Sequence, residues 1–188
     1  MSNKIPSKFI GEVVGIGQQV TPEITKARLR IFYKGLNRNG GYITDEFADK
    51  LLQSLPYAPV VGIYNELTKE FGGHAYDRNA ANMYGVVPEN PNLTWEDNLD
   101  KDGVIRTYAC TDVYLYTGRY EAAQKIVGKQ QSMELDEKSI QGHWVHMEGN
   151  PDDVFLYEDA RFLGLSVLGN DKEPCFEGSA FFSLVENF

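Results

Sequence analysis

Apolar and polar residues alternate along residues 27–33, ARLRIFY, with the two-residue period of a strand that buries one face. Residues 8–17 mix β-branched residues with glycines and predict an earlier strand. The short apolar run at 59–64 reads as a buried strand, 84–87 as another short strand, and 104–116, VIRTYACTDVYLY, carries the longest β signal in the chain. Further strands are predicted at 132–135, 143–147 and along 154–168, and residues 178–185 form a last apolar stretch. Two segments follow a helical period instead. In 45–55, Phe47, Leu51 and Leu55 recur at four-residue spacing, Thr44 can cap, and Asp45 and Glu46 sit where the helix dipole favours negative charge. In 120–127, Tyr120, Ala123 and Val127 share a side, and Gly128 suits the C-terminal cap.

Turn signals separate these elements: NRNGG at 37–41, EGNPDD at 148–153 and GNDKEP at 169–174. Residues 66–82 are polar and glycine-bearing and contain His74; residues 88–103 read as a loop around Trp95. Many strands and two or three helices predict an α+β, mainly-β fold, a small β-barrel flanked by helices. With no repeat or linker, 1–188 reads as a single domain.

Bulk composition narrows the function classes. A chain of 188 residues that is 42% hydrophobic can bury a sizeable core. Its net charge of −9 opposes general nucleic-acid binding, which needs a basic face. No run of about 18 apolar residues predicts a membrane span, and MSNKIPSKFIGEVV lacks the apolar centre of a signal peptide. Cys110 and Cys175 are expected to be reduced thiols, and Cys175, with no base beside it in sequence, is a weak nucleophile candidate.

The segment GKQQSMEL, 128–135, poses the chemical question, because a helix-like stretch stops at Gly128 and a strand then opens with Ser132. A lone serine is most often a surface group. As a nucleophile it needs a base to take its proton. The chain has three histidines, His74, His143 and His146. His74, in FGGHAYD, follows two glycines in an accessible polar stretch. His143 and His146, three apart on a predicted strand, face opposite ways and make a poor chelating pair. An acid behind the base would come from Glu158 or Asp159, adjacent and therefore on opposite strand faces, unless both are solubilising charges on an edge strand; Glu134 shares the face of Ser132 and reads equally as an exposed strand residue.

The ordered set NRNGGYITDEFADKLLQSLPYAPVVGIY, a glycine-preceded His74, YGVV, RTYACTDVYLY, GKQQSMEL and ARFLGLSVLGNDKEP resembles the tailed-phage prohead, or head maturation, proteases. These are distant relatives of the herpesvirus assembly proteases. The resemblance covers about 27–183 and implies a small barrel wrapped by helices. It implies a serine endopeptidase that cleaves scaffold and capsid-protein segments, and then itself, inside the immature head in the host cytoplasm. Carried over, Ser132 is the nucleophile and His74 the base. The third member falls on Asp159, seven residues before Ser166, with Glu158 as the alternative. Backbone N–H groups near Gly169 would hold the oxyanion. No cofactor or metal is implied. The partners are the major capsid protein and scaffold; a homo-oligomer is compatible, and neither nucleic acid nor membrane is expected. The chain is expected to be the protease part of a longer protease–scaffold product, or to work beside a separate scaffold. Two departures stand out: the family's Ser-Ile-Gly-aromatic is Ser132-Met133-Glu134-Leu135, and its Glu-Val-Ser is Gly164-Leu165-Ser166. They leave a non-catalytic capsid assembly or scaffolding protein of the same fold as the alternative.

Overall fold

A computed structural model describes residues 17–74, 80–100 and 102–183 of the chain. In chain order the strands are β1 (Gln18–Gln19), β2 (Thr25–Tyr33), β3 (Gly35–Leu36), β4 (Gly41–Ile43), β5 (Pro59–Gly62), β6 (Tyr64–Asn65), β7 (Glu70–Phe71), β8 (Asn82–Val86), β9 (Thr94–Leu99), β10 (Ile105–Leu115), β11 (Gln131–Leu135), β12 (Gln141–Val145), β13 (Val154–Asp159), β14 (Phe162–Val167) and β15 (Phe181–Phe182). Helix α1 (Asp45–Leu52) lies between β4 and β5. The protein is α+β and mainly β.

Among the described residues the main sheet runs β1-β2-β10-β8-β5-β14-β11, with β15 also on β2 and β9 also on β10. A second sheet has the order β12-β13-β4-β3, and β6 and β7 form a separate pair. The strand period places the core. Ala27, Leu29 and Ile31 of β2 alternate inward and are fully buried, as are Val113, Leu115, Val60, Leu165 and Val167 from the strands beside them. Each such Leu, Ile or Val contributes about 1.5–3 kcal/mol by leaving water.

Helix α1 forms as its pattern predicts. Thr44 Oγ1 accepts from the Phe47 N–H at 3.1 Å, and Phe47, Ala48, Leu51 and Leu52 are buried. Phe47 stacks on Tyr157 of β13 with ring centroids 5.2 Å apart. The helix stops at Leu52 rather than 55. There the N–H groups of Ser54 and Leu55 bond three residues back, and Pro56 follows. The expected helix at 120–127 is reduced to a 3₁₀ turn at Ala122–Lys125. Tertiary contact holds that turn, with Ala122, Ala123 and Ile126 buried.

Two expectations change more. The 88–103 loop contains β9, which pairs with β10 along Ile105–Cys110. TWEDNL is too polar to announce a strand, but its polar side chains are engaged. Arg28 of β2 bonds Glu96 at 2.6 Å, Asp112 at 3.0 Å and the Asn92 carbonyl at 2.6 Å, and Thr107 donates to Asp97 at 2.7 Å. The 154–168 signal is two strands in different sheets. The break at Ala160–Arg161 is fastened by Arg161 N–H to Ser139 Oγ at 2.9 Å and Phe162 N–H to Ser54 Oγ at 3.0 Å. The strand expected over 8–17 lies outside the described residues, apart from Gly17, as does the 178–185 stretch beyond Ser183.

Burial of Glu96 opposes its ionisation, but hydrogen bonds from Thr94 and Arg28 and the Arg28 charge outweigh it, so its carboxyl lies below the ordinary 4.5. A group more acidic in the folded state adds stability above its unfolded value and loses it as pH falls through the lower folded value. Urea midpoints are therefore expected to drop below pH about 4.5, and Glu96→Gln should make that drop shallower. Identical acid limbs for both proteins would exclude Glu96 from the effect.

Candidate active site

Ser132 is the second residue of β11. Gly128, which ends the preceding turn, has φ +93°, where a side chain would be strained. Gln131 then anchors the strand: its Nε2 donates to the Ile31 carbonyl at 2.7 Å, and its N–H donates to the Ser179 carbonyl at 3.1 Å. Strand alternation sends Ser132 and Glu134 to the opposite face. Both are buried, Ser132 at 2% and Glu134 at 8% exposure. Ser132 Oγ has no hydrogen-bond partner among the described residues. Directly across the antiparallel pair lie Ser166 and Gly164 of β14. Ser166, fully buried, donates its hydroxyl to Glu134 Oε1.

His74 reaches this face through the Gly72–Gly73 link after β7. The Gly72 N–H donates to the Ile63 carbonyl at 2.8 Å, and the Gly72 carbonyl accepts from Gly169 N–H at 2.9 Å. Lys129, just before β11, bonds Glu70 at 2.7 Å and Asn170 at 2.9 Å. The histidine loop is thus tied both to the segment leading to Ser132 and to the one following β14. His74 Nδ1 stands 3.9 Å from Glu134 Oε1. His74, Ser132 and Glu134 line one hollow of about 690 Å³, together with Met133, Tyr157 and Cys175. Burial pushes the Cys175 thiol up to about 11 and that of Cys110 up to about 12, so neither supplies a thiolate near neutrality.

Gly169 has a different part from the one its sequence suggests. Its N–H is committed to Gly72, and the Leu168 N–H to Gln130, so neither is a spare oxyanion donor. Its value is close approach: a Cβ there would lie 2.1 Å from the Phe71 carbonyl oxygen. Gly169→Ala is expected to push the histidine loop off β14, costing about 1–3 kcal/mol and most of any His74-dependent activity. A variant with native melting temperature and rate would show that the loop accommodates the methyl group.

The remaining predicted residues lie elsewhere. Asp159 ends β13 and is exposed in the second sheet; with Glu158 it lines a separate hollow beside Thr44 and Lys50. Glu158 faces His143 Nδ1 at 2.9 Å. His146 Nδ1 meets Asp153 at 3.3 Å on the surface. The sheet change at 160–161 places Asp159 and Glu158 in a different hollow from His74, and among the described residues Glu134 brings a carboxylate to 3.9 Å from His74 Nδ1. The strand period had put Glu134 on the face of Ser132, but its neighbour across the sheet was not readable. Among the described residues, no group of three or more His, Cys, Asp or Glu side chains could hold a metal ion.

No curated protein and no solved structure matches the chain. Residues 23–187, nearly all of the described core and the whole candidate site, match the family model of the YonD N-terminal domain, and the chain belongs to that family.

Proposed function

We propose that this protein is a serine endopeptidase of the prohead-protease type. It would cut scaffold and capsid-protein segments, and itself, within an immature phage head in the host cytoplasm. The observation that carries the reading is the meeting of Ser132 and His74 in one hollow, with His74 Nδ1 turned toward a buried carboxylate. That orientation leaves Nε2 for the serine. Ser132 Oγ attacks the peptide carbonyl carbon as its proton passes to His74 Nε2, and His74 returns that proton to the leaving amine. Water then releases the acyl group by the same route. The register supports an extended peptide as substrate. Leu168 N–H bonds Gln130 and Gln131 N–H bonds Ser179, so by alternation the backbone groups of Met133 point away from β14, next to the nucleophile. A small barrel is supported by the bridge between Gln130 and Ala180 and the pairing of Phe181 with Leu29, which lead from β11 back to β2.

Ser132 Oγ, without a hydrogen-bond partner among the described residues, favours a second reading, a capsid assembly or scaffolding protein that keeps the fold without catalysis. One gel separates them. The purified chain, incubated with its capsid and scaffold proteins, is expected to yield shorter bands, and Ser132→Ala none. Intact substrates that co-sediment with the chain would establish the assembly reading instead.

A further inference from the structure

We propose that β12 is a self-association edge, on which a second copy of this chain pairs antiparallel about Trp144 and joins the second sheets of the two copies into one. The edge differs from the other outer strands. Among the described residues β12 has a neighbour on one side only, β13. By contrast β1, β3, β6, β7 and β15 are two residues long, and β9 and β11 carry carboxylates. Short length and charge are usual protections of an exposed edge. β12 has neither: QGHWV is five residues with no Lys, Arg, Asp, Glu or Pro, and none of the five is buried.

The backbone direction follows from the neighbouring strand. Phe155 N–H donates to the Gly40 carbonyl at 2.9 Å, on the β4 side of β13, so the backbone groups of Phe155 face away from β12. Trp144 is its partner in the antiparallel register, which makes 144/155 a non-hydrogen-bonded pair. The N–H and C=O of Trp144 therefore point outward from the sheet, where a further strand can meet them. Such a pair also brings its side chains close. Trp144 meets Phe155 with ring centroids 5.4 Å apart, Phe155 meets Tyr157 at 5.0 Å, and Tyr157 stacks on Phe47 of α1. This row of rings holds the indole in place while Trp144 stays 64% exposed. An exposed tryptophan that is already ordered is the kind of anchor that dominates interfaces.

Two observations choose a second copy as the occupant. The edge is self-complementary. A two-fold axis at Trp144 sets its N–H against the carbonyl of Trp144 in the second copy, and the reverse, with the two indoles side by side on one face. Charge is the other observation. The chain carries −9, so two copies repel over most of their surface. Residues 139–147, SIQGHWVHM, contain no Lys, Arg, Asp or Glu. Of the nearby carboxylates, Glu158 faces His143 at 2.9 Å and Asp153 faces His146 at 3.3 Å. Along this strand two copies meet without setting like charges opposite each other.

Sedimentation equilibrium of the full chain from about 2 to 500 µM tests the edge. A contact of one strand pair is small, so a dissociation constant of about 1–100 µM is expected, with the mass rising toward twice the chain's 21.2 kDa. Trp144→Lys should weaken association at least about tenfold, because it sets two cations opposite each other, and Trp144→Phe should stay within about threefold. Leu67→Lys is the control. It adds the same charge at an apolar residue 95% exposed between β6 and β7, and should leave association within about twofold. Both lysines reduce the net negative charge, so a loss confined to Trp144→Lys reports the edge and not overall repulsion. Hydrogen exchange of the wild type decides the case even where a variant fails to fold: the Trp144 N–H should exchange at least about twofold more slowly at 500 µM than at 2 µM. A chain that stays monomeric over this range overturns the proposal, including one whose Trp144 edge binds capsid or scaffold protein instead. A dimer that a folded Trp144→Lys leaves intact, or that forms without slowing at the Trp144 N–H, has its contact on another face and overturns it as well.

Discussion

Ser132→Ala is expected to remove peptide cleavage, by about five to six powers of ten in kcat, while leaving the protein at least as stable as before. The catalytic size follows from the loss of the atom that forms the acyl bond; base and oxyanion contacts then act on a water that is poorly placed. The stability expectation follows from burial. Ser132 is 2% exposed and its Oγ has no hydrogen-bond partner among the described residues. Burying an unpaired hydroxyl costs about 1–3 kcal/mol, part of which alanine recovers. Melting temperature should therefore stay level or rise by a few degrees as activity vanishes. Such a change is typical of a group kept for chemistry against the interest of the fold. A Ser132→Ala protein that cuts at the wild-type rate would remove the nucleophile assignment. One that melts far lower would show that the hydroxyl serves the fold.

Arg28→Met is expected to be the most destabilising single polar change, about 3–5 kcal/mol. Arg28 is 5% exposed and joins Asp112, Glu96 and the Asn92 carbonyl, with Lys26 on the far oxygen of Asp112 at 2.8 Å. Removing the guanidinium leaves Asp112, itself 4% exposed, with one partly exposed lysine, and leaves Glu96 without its cation. It also removes one of the anchors of β9, which keeps its pairing with β10 and the Thr107–Asp97 bond. At this chain length the loss corresponds to a fall of roughly 10 °C in melting temperature. Lys69→Met serves as the control. Its pairs with Glu66 and Glu121 are exposed, and such pairs are worth about 0–1 kcal/mol. Equal losses from the two variants would mean that burial of the Arg28 cluster contributes nothing.

Local elements with a strong period were legible in the chain. ARLRIFY alternates and is β2; VIRTYACTDVYLY is β-rich and contains β10; Thr44, Asp45 and the Phe47–Leu51 spacing make α1. These follow from nearest-neighbour chemistry: side-chain alternation, a capping hydroxyl, a glycine where φ is positive. The sequence also placed Ser132 and Glu134 on one strand face, because that requires only a period of two. Which segments meet depends on long-range contacts that periodicity does not record. β9 is a strand because it pairs with β10 and because Arg28, 68 residues from Glu96, engages its polar side chains. The unbroken apolar signal of 154–168 hides a change of sheet, since both strands bury one face and periodicity does not record which sheet receives it. That change takes Asp159 and Glu158 away from His74 and sets Gly164 opposite Glu134. Glu134 was therefore visible in GKQQSMEL, but its place across from Gly164, bonded to Ser166 and 3.9 Å from His74 Nδ1, comes from contacts between segments far apart in the chain.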